Sequence, residues 1–256
     1  MKNCLPQVHC NMRGWLHNML KQIKILTSRR AYEFSSDTLR LSSLSIQPVL
    51  QQIQQLFSFQ TLAIGSPMPT FGAVPATYPP GAVFNLGAWI HQEERIVPIR
   101  FIHFEQSRIV IDVAGPTSAI DGIANRLFHF LSDLQAADGS PVVGEPQRIL
   151  DYSEITAQYP YPLDAIFSKP LRRLLSKTMG VGVGNESMLV LPTVTAQVFP
   201  MDEVLPELAG RNDPHVFTLA FRPGTRPEEH ICFSGAPLSS EAHLIYLEEL
   251  AASLKS

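Results

Sequence analysis

The residues best suited to chemistry in this chain of 256 are a cysteine and two histidines near its end. His230 and Cys232 alternate on a stretch that reads as a strand, and His243 follows in the next helix. A histidine beside a cysteine can withdraw the thiol proton and leave a nucleophilic thiolate. Such a site also needs a group that orients the imidazole, and none stands at a matching spacing. The expected role of all three is therefore structural.

Other chemical types are present without the spacing their chemistry requires. Cys4, His9, Cys10 and His17 are metal-ligand types, but they show neither the Cys-x2–4-Cys nor the His-x3–5-His pairing of a zinc site. Gly180, Gly182 and Gly184 resemble a phosphate loop, yet a predicted helix precedes them and a predicted strand follows, the reverse of a nucleotide-binding turn. Gly180 is better read as a helix C-cap. The acidic pairs Glu93-Glu94, Glu228-Glu229 and Glu248-Glu249 are sequence neighbours whose side chains diverge, so they are expected on solvated surface. No nucleophile elbow and no His-Glu-x-x-His pattern occurs. No catalytic residue, cofactor or metal is expected.

The basic N-terminus has more leverage. Residues 1–32 hold Lys2, Arg13, Lys21, Lys24, Arg29 and Arg30 with no acid, which leaves 14 basic residues against 23 acidic ones elsewhere, a net of −9. Met12–Leu26 reads as an amphipathic helix, with Trp15, Leu16, Met19, Leu20 and Ile23 at helical spacing. Trp15, Lys21, Lys24, Arg29 and Arg30 are thus candidates for contact with a membrane surface or a partner. Acid-poor amphipathic segments also serve as targeting signals, and the segment could equally pack on its own acidic body.

Composition sets the outer limits. Hydrophobic residues make up 45% and charged ones 17%, enough for a real core. A net charge of −3 argues against nucleic acid as a partner. No apolar run reaches the roughly 18 residues of a membrane span. Three cysteines at irregular spacing do not suggest a disulfide scaffold, and with no secretory signal visible the expected setting is cytoplasmic.

The elements that must position these residues repeat at an offset of 120. Val97–Leu134 laid over Phe217–Leu254 matches Phe101 to Phe221, Ile111 to Ile231, Gly115 to Gly235 and Leu127 to Leu247. Met68–Pro80 falls on Met188–Pro200 at the same offset. The predicted elements of the first copy are a strand over Tyr32–Leu41, a helix over Val49–Phe57, strands over Val83–Ile90, Val97–Phe104 and Arg108–Ala114, and a helix over Ala119–Leu134 opened by Ser118 and Asp121. The second copy has a helix over Leu163–Met179, a strand over Met188–Phe199, a hairpin of Val216–Phe221 and His230–Phe233, and a helix over Ser240–Leu254.

The expected fold is α+β, a tandem duplication of a helix–three-stranded antiparallel sheet–helix unit with the helices on one face of each sheet. Its parts are a basic segment over 1–31, a first repeat over 32–134, a linker over 135–148 and a second repeat over 149–256. Two similar units without catalytic motifs point to a non-catalytic interaction, regulatory or assembly protein. Its expected partner is another protein, and a homo-oligomer fits the same reading. One alternative is an enzyme or small-ligand binder with a pocket between the repeats, lined by Arg100, His103, Arg222 and His230. The other is a peripheral membrane factor held by the N-terminal helix.

Overall fold

The computed structural model of the protein describes residues 19–35, 39, 46–64, 81–90, 95–105, 107–135, 138–162, 193–197 and 216–254. The strands are β1 (Lys21–Glu33), β2 (Thr61–Ile64), β3 (Ala82–Ile90), β4 (Ile96–Phe104), β5 (Arg108–Val113), β6 (Arg148–Gln158), β7 (Thr193–Gln197), β8 (Val216–Phe221) and β9 (Ile231–Ala236). The helices are α1 (Ile46–Leu56), α2 (Thr117–Ser132) and α3 (Ser240–Ser253). The protein is α+β, with a nine-stranded antiparallel sheet ordered β2-β3-β4-β5-β1-β6-β9-β8-β7 and three helices among the described residues. No tandem duplication is evident.

The chain divides into two compact units. The first comprises Ile25–Glu154 and Pro237–Glu241, and the second Met1–Lys24, Ile155–Ala236 and Ala242–Ser256. In the first unit the hydrophobic pattern dictates which sheet face is covered. Ile109, Ile111 and Val113 alternate along β5 and point to one side. They meet Ile120, Ile123, Leu127 and Leu131 of α2 and Leu50 and Ile53 of α1 in one core. Phe57, Phe59, Phe84 and Phe104 complete it with tilted and edge-to-face ring contacts. Both helices thus lie on one face, and no described helix covers the other.

Several elements differ from the sequence reading. Lys21–Leu26 is not the end of a helix but the start of β1, so the amphipathic helix over Met12–Leu26 is not formed there. A 3.6-residue spacing of Leu16, Met19, Leu20 and Ile23 competes with the two-residue spacing of Ile23, Ile25 and Thr27, and the strand period prevails where Lys21–Leu26 runs on into Ser28–Glu33, the part of β1 that pairs with β5. The strand predicted over Tyr32–Leu41 ends at Glu33, and Leu39 forms only an isolated bridge to Val143. β6 lies in a stretch to which no element was assigned.

Of the remaining predicted elements within the described residues, the strand Val216–Phe221 is found with the same bounds and the others with shifted ends. Pro98 sits on the inner strand β4, just ahead of a bulge between Ile99 and Phe101. Ser118 and Asp121 do not form a capping box, because Asp121 pairs with Arg30. Instead the Thr117 amide donates to Ser240 Oγ, and the Ser240 amide donates to Thr117 Oγ1, each over 2.8 Å. The Gly180 turn, the helix over Leu163–Met179 and the Cys4–His17 set lie outside the described residues.

In the second unit, Phe217 and Leu219 of β8 and Cys232 and Ser234 of β9 are buried. Phe217 meets Tyr246 and His243 of α3 in edge-to-face contacts. No described helix is long and apolar enough to cross a membrane.

Candidate functional site

The face of the first unit opposite α1 and α2 is built around one acid. Asp112 interrupts the run Ile109-Val110-Ile111-Asp112-Val113 and points away from the helices. Its side chain is completely buried. A carboxylate without access to water must be bonded by its neighbours, and two flanking strands supply them. Thr27 Oγ1 on β1 lies 2.9 Å from Oδ1 and 3.0 Å from the Val113 carbonyl. Arg29, two residues on, donates from Nε at 2.9 Å and from Nη2 at 2.8 Å to Oδ2. Arg100 Nε on β4 stands 3.7 Å from Oδ1, an ion pair rather than a hydrogen bond.

The register explains the convergence. Arg29 of β1 and Phe101 of β4 both lie directly opposite Asp112, so all three share a face. The β4 bulge adds Arg100 to that face. Ile99 and Ile102 both enter the core, so the two residues between them point the same way instead of diverging. The Arg29 guanidinium sits 5.4 Å from the Phe101 ring centre and 5.9 Å from that of Tyr152 on β6. Desolvation, followed by the charge of Glu154 and the hydrogen bond to it, pushes the Tyr152 phenol up to about 12. Its hydroxyl stays protonated and donates to Glu154 Oε1 at 3.2 Å.

A matching irregularity lies beside the bulge on β3. Phe84 is in the core, and a Cβ at Gly87 would strike the Phe59 ring, so both positions face the helices. Asn85 and Leu86 between them take the open face. Leu86 reaches this with φ of +58°, a conformation leucine rarely adopts, and its side chain is 57% exposed. Farther along the face, His103 Nδ1 lies 3.3 Å from Glu105 Oε1, and Arg108 grips the same carboxylate at 2.9 Å. Burial alone would raise the Glu105 pKa, but the His103 hydrogen bond and the Arg108 charge hold it below the ordinary value.

The other N-terminal basic residues have separate fates. Arg30 turns to the helix side, where Asp151 takes its Nε at 2.6 Å and Asp121 its Nη1, so it serves the fold. Burial works against the Arg30 charge, but Asp151 and Tyr32 raise its pKa above the usual value. Lys21 and Lys24 are exposed on β1. Trp15 lies outside the described residues.

In the second unit, His230 occupies the turn before β9 with φ of +49° and lines a shallow cavity of about 330 Å³ with Met19, Lys21, Gln158, Tyr159 and Pro160. Arg222 is exposed, and its amide bonds the Ile231 carbonyl. Cys232 is buried, which pushes its thiol up to about 12 and holds it as the unreactive acid form. Its Sγ faces the His230 carbonyl at 3.6 Å, while His243 Nε2 meets Ser234 Oγ at 2.9 Å. Ser234 in turn donates to the Thr218 carbonyl, so His243 acts as donor and cannot withdraw the serine proton. No activated nucleophile results. Glu248 is buried rather than solvated, contrary to expectation, and its Oε2 has no hydrogen-bond partner.

Sequence reasoning singled out Arg29 and Arg100 separately but missed Asp112, Thr27, Phe101 and Tyr152. The available signal was an acid within a β-branched run, since such an acid must be paired. Nothing local says that its partner lies more than eighty residues away. No protein-family model and no curated protein matches the chain.

Proposed function

We propose that this is a non-catalytic interaction or assembly protein that binds another protein through the sheet face of its first unit opposite α1 and α2. The observation carrying this reading is the fixing of Arg29. It is 44% exposed, yet it is held from below by a buried carboxylate and from both sides by Phe101 and Tyr152. Arginine and aromatic residues dominate the energetics of protein interfaces, and a side chain already held in place loses little freedom on binding. The copied-module reading belongs to the same proposal, supported by the 120-residue offset between Phe101 and Phe221 and between Ile111 and Ile231. A cytoplasmic setting belongs to it as well, supported by Cys232, which is buried and unpaired.

The test is affinity capture with the full chain as bait, followed by reciprocal capture with each purified candidate. The wild type is compared with the double variant Phe101→Ala/Tyr152→Ala. A specific partner should be retained by the wild type and lost by the variant, whose folding is checked by circular dichroism. Equal retention by both folded proteins would remove this face from the binding function.

A further inference from the structure

We infer that the row Leu86–Arg100–Arg29–Tyr152 receives a partner segment in which a carboxylate side chain is flanked by apolar residues. This rests on the reading above that the open face binds protein, and adds the chemistry of what it binds.

The charges do not balance in the row. Two guanidiniums share the single carboxylate of Asp112, and Arg29 takes the short bonds. Among the described residues Arg100 makes no hydrogen bond; its one ion pair is the 3.7 Å approach to Asp112, and its side chain is 53% exposed. The surrounding acids are engaged elsewhere, Glu105 by His103 and Arg108, and Glu154 by the Tyr152 hydroxyl. One positive charge with unused donors is therefore presented to solvent, and a planar guanidinium is suited to grip a carboxylate with two parallel bonds.

The flanks set the rest of the specificity. Leu86, Phe101 and Tyr152 place apolar surface on both sides of the guanidiniums. The left-handed backbone that puts Leu86 there is unfavourable for leucine, and departures of this kind concentrate where a protein must present a side chain. A single surplus charge suits one carboxylate better than a run of phosphates, and a chain with a net charge of −3 disfavours polyanions.

The probe is a fluorescein-labelled peptide of alternating leucine and glutamate, titrated with the full-length protein by fluorescence anisotropy. A leucine–glutamine peptide, a single-stranded oligonucleotide and phosphatidylserine vesicles serve as competitors. The glutamate peptide should bind saturably. Arg100→Gln should weaken it roughly fivefold, in keeping with the modest worth of an exposed ion pair. Arg100→Lys should restore only part of the loss. Leu86→Asn, which tolerates the left-handed backbone and so keeps the fold, should also weaken it.

Equal binding of the glutamine peptide, or displacement by the oligonucleotide or vesicles but not by excess glutamate peptide, would overturn the assignment. So would a captured partner that survives Arg100→Gln but is lost by Phe101→Ala/Tyr152→Ala. That last outcome leaves the face as a docking surface and rejects only its preference for carboxylates.

Discussion

Arg29→Met should destabilise the protein more than Asp112→Asn, although the two changes break the same ion pair. The asymmetry comes from which charge is left behind. Asp112→Asn keeps the shape of the side chain and an acceptor for Thr27, and strands a guanidinium that is 44% exposed and can turn to water. The lost charge-assisted bonds would be worth about 1.5–3 kcal/mol if fully buried, and solvent screening of Arg29 brings the expected cost to roughly 1–2 kcal/mol. Arg29→Met instead strands a carboxylate with no exposure, supported only by Thr27 and the 3.7 Å approach of Arg100. An uncompensated buried charge costs about 3–5 kcal/mol, and admission of water where the guanidinium lay brings this near 3 kcal/mol. For a chain of this size, about 2–4 °C per kcal/mol puts the difference between the two melting temperatures at several degrees. Urea titrations and calorimetry of both single variants and the double variant provide the measurement. The double variant should recover about 1–2 kcal/mol relative to the sum of the singles. Equal or inverted costs, or strict additivity, would refute the view that Asp112 is a buried charge sustained by Arg29.

Three further outcomes are expected. Burial raises the phenols of Tyr32, Tyr152 and Tyr159, at Tyr32 against the Arg30 hydrogen bond and charge, and burial raises the Cys232 thiol; Tyr152 and Cys232 reach about 12. Because these acids ionise more easily unfolded, their contribution is complete below about pH 9 and falls as pH rises toward 12. Tyrosinate absorbance at 295 nm should therefore show Tyr32, Tyr152 and Tyr159 lagging until the protein unfolds, and a full tyrosinate signal reached near pH 10 in the folded protein would contradict the burial. Gly87→Ala places a Cβ 2.5 Å from the Phe59 ring and 3.0 Å from the Phe57 carbonyl, so the urea midpoint should fall by an amount equivalent to about 1–3 kcal/mol; an unchanged midpoint would show that the contact yields freely. Ser240→Ala removes the acceptor for the Thr117 amide and should cost about 1–2 kcal/mol, with faster hydrogen exchange at that amide as the specific readout.

Elements whose burial is apolar and periodic were legible in the sequence. α2 shows Ile120, Ile123, Leu127 and Leu131 on one stripe, and β4–β5 and β8–β9 show as hairpins, the first from the β-branched run of β5 and the second from the turn residues Pro223-Gly224 between two short apolar stretches. β6 was invisible for the opposite reason. Its Asp151, Tyr152, Ser153 and Glu154 carry no hydrophobic alternation, and the strand is tied in by Arg30 and Arg29, whose positions in space no local pattern reveals. The same holds for the open face. Its composition depends on two irregularities that turn Asn85–Leu86 and Arg100–Phe101 outward, and a backbone irregularity leaves the residue types on either side unchanged.

The crossed caps of α2 and α3 impose an order on assembly. Thr117 and Ser240 each hold the other's first amide, and they stand 123 positions apart in the chain. A ribosome that has just released α2 has made only one jaw of this clasp. The Thr117 amide must rely on water until the start of α3 has been synthesised and has folded back to meet it. The mature register of α2 is thus sealed late, by a residue encoded far downstream, and a defect at that residue would be felt first in the middle of the chain.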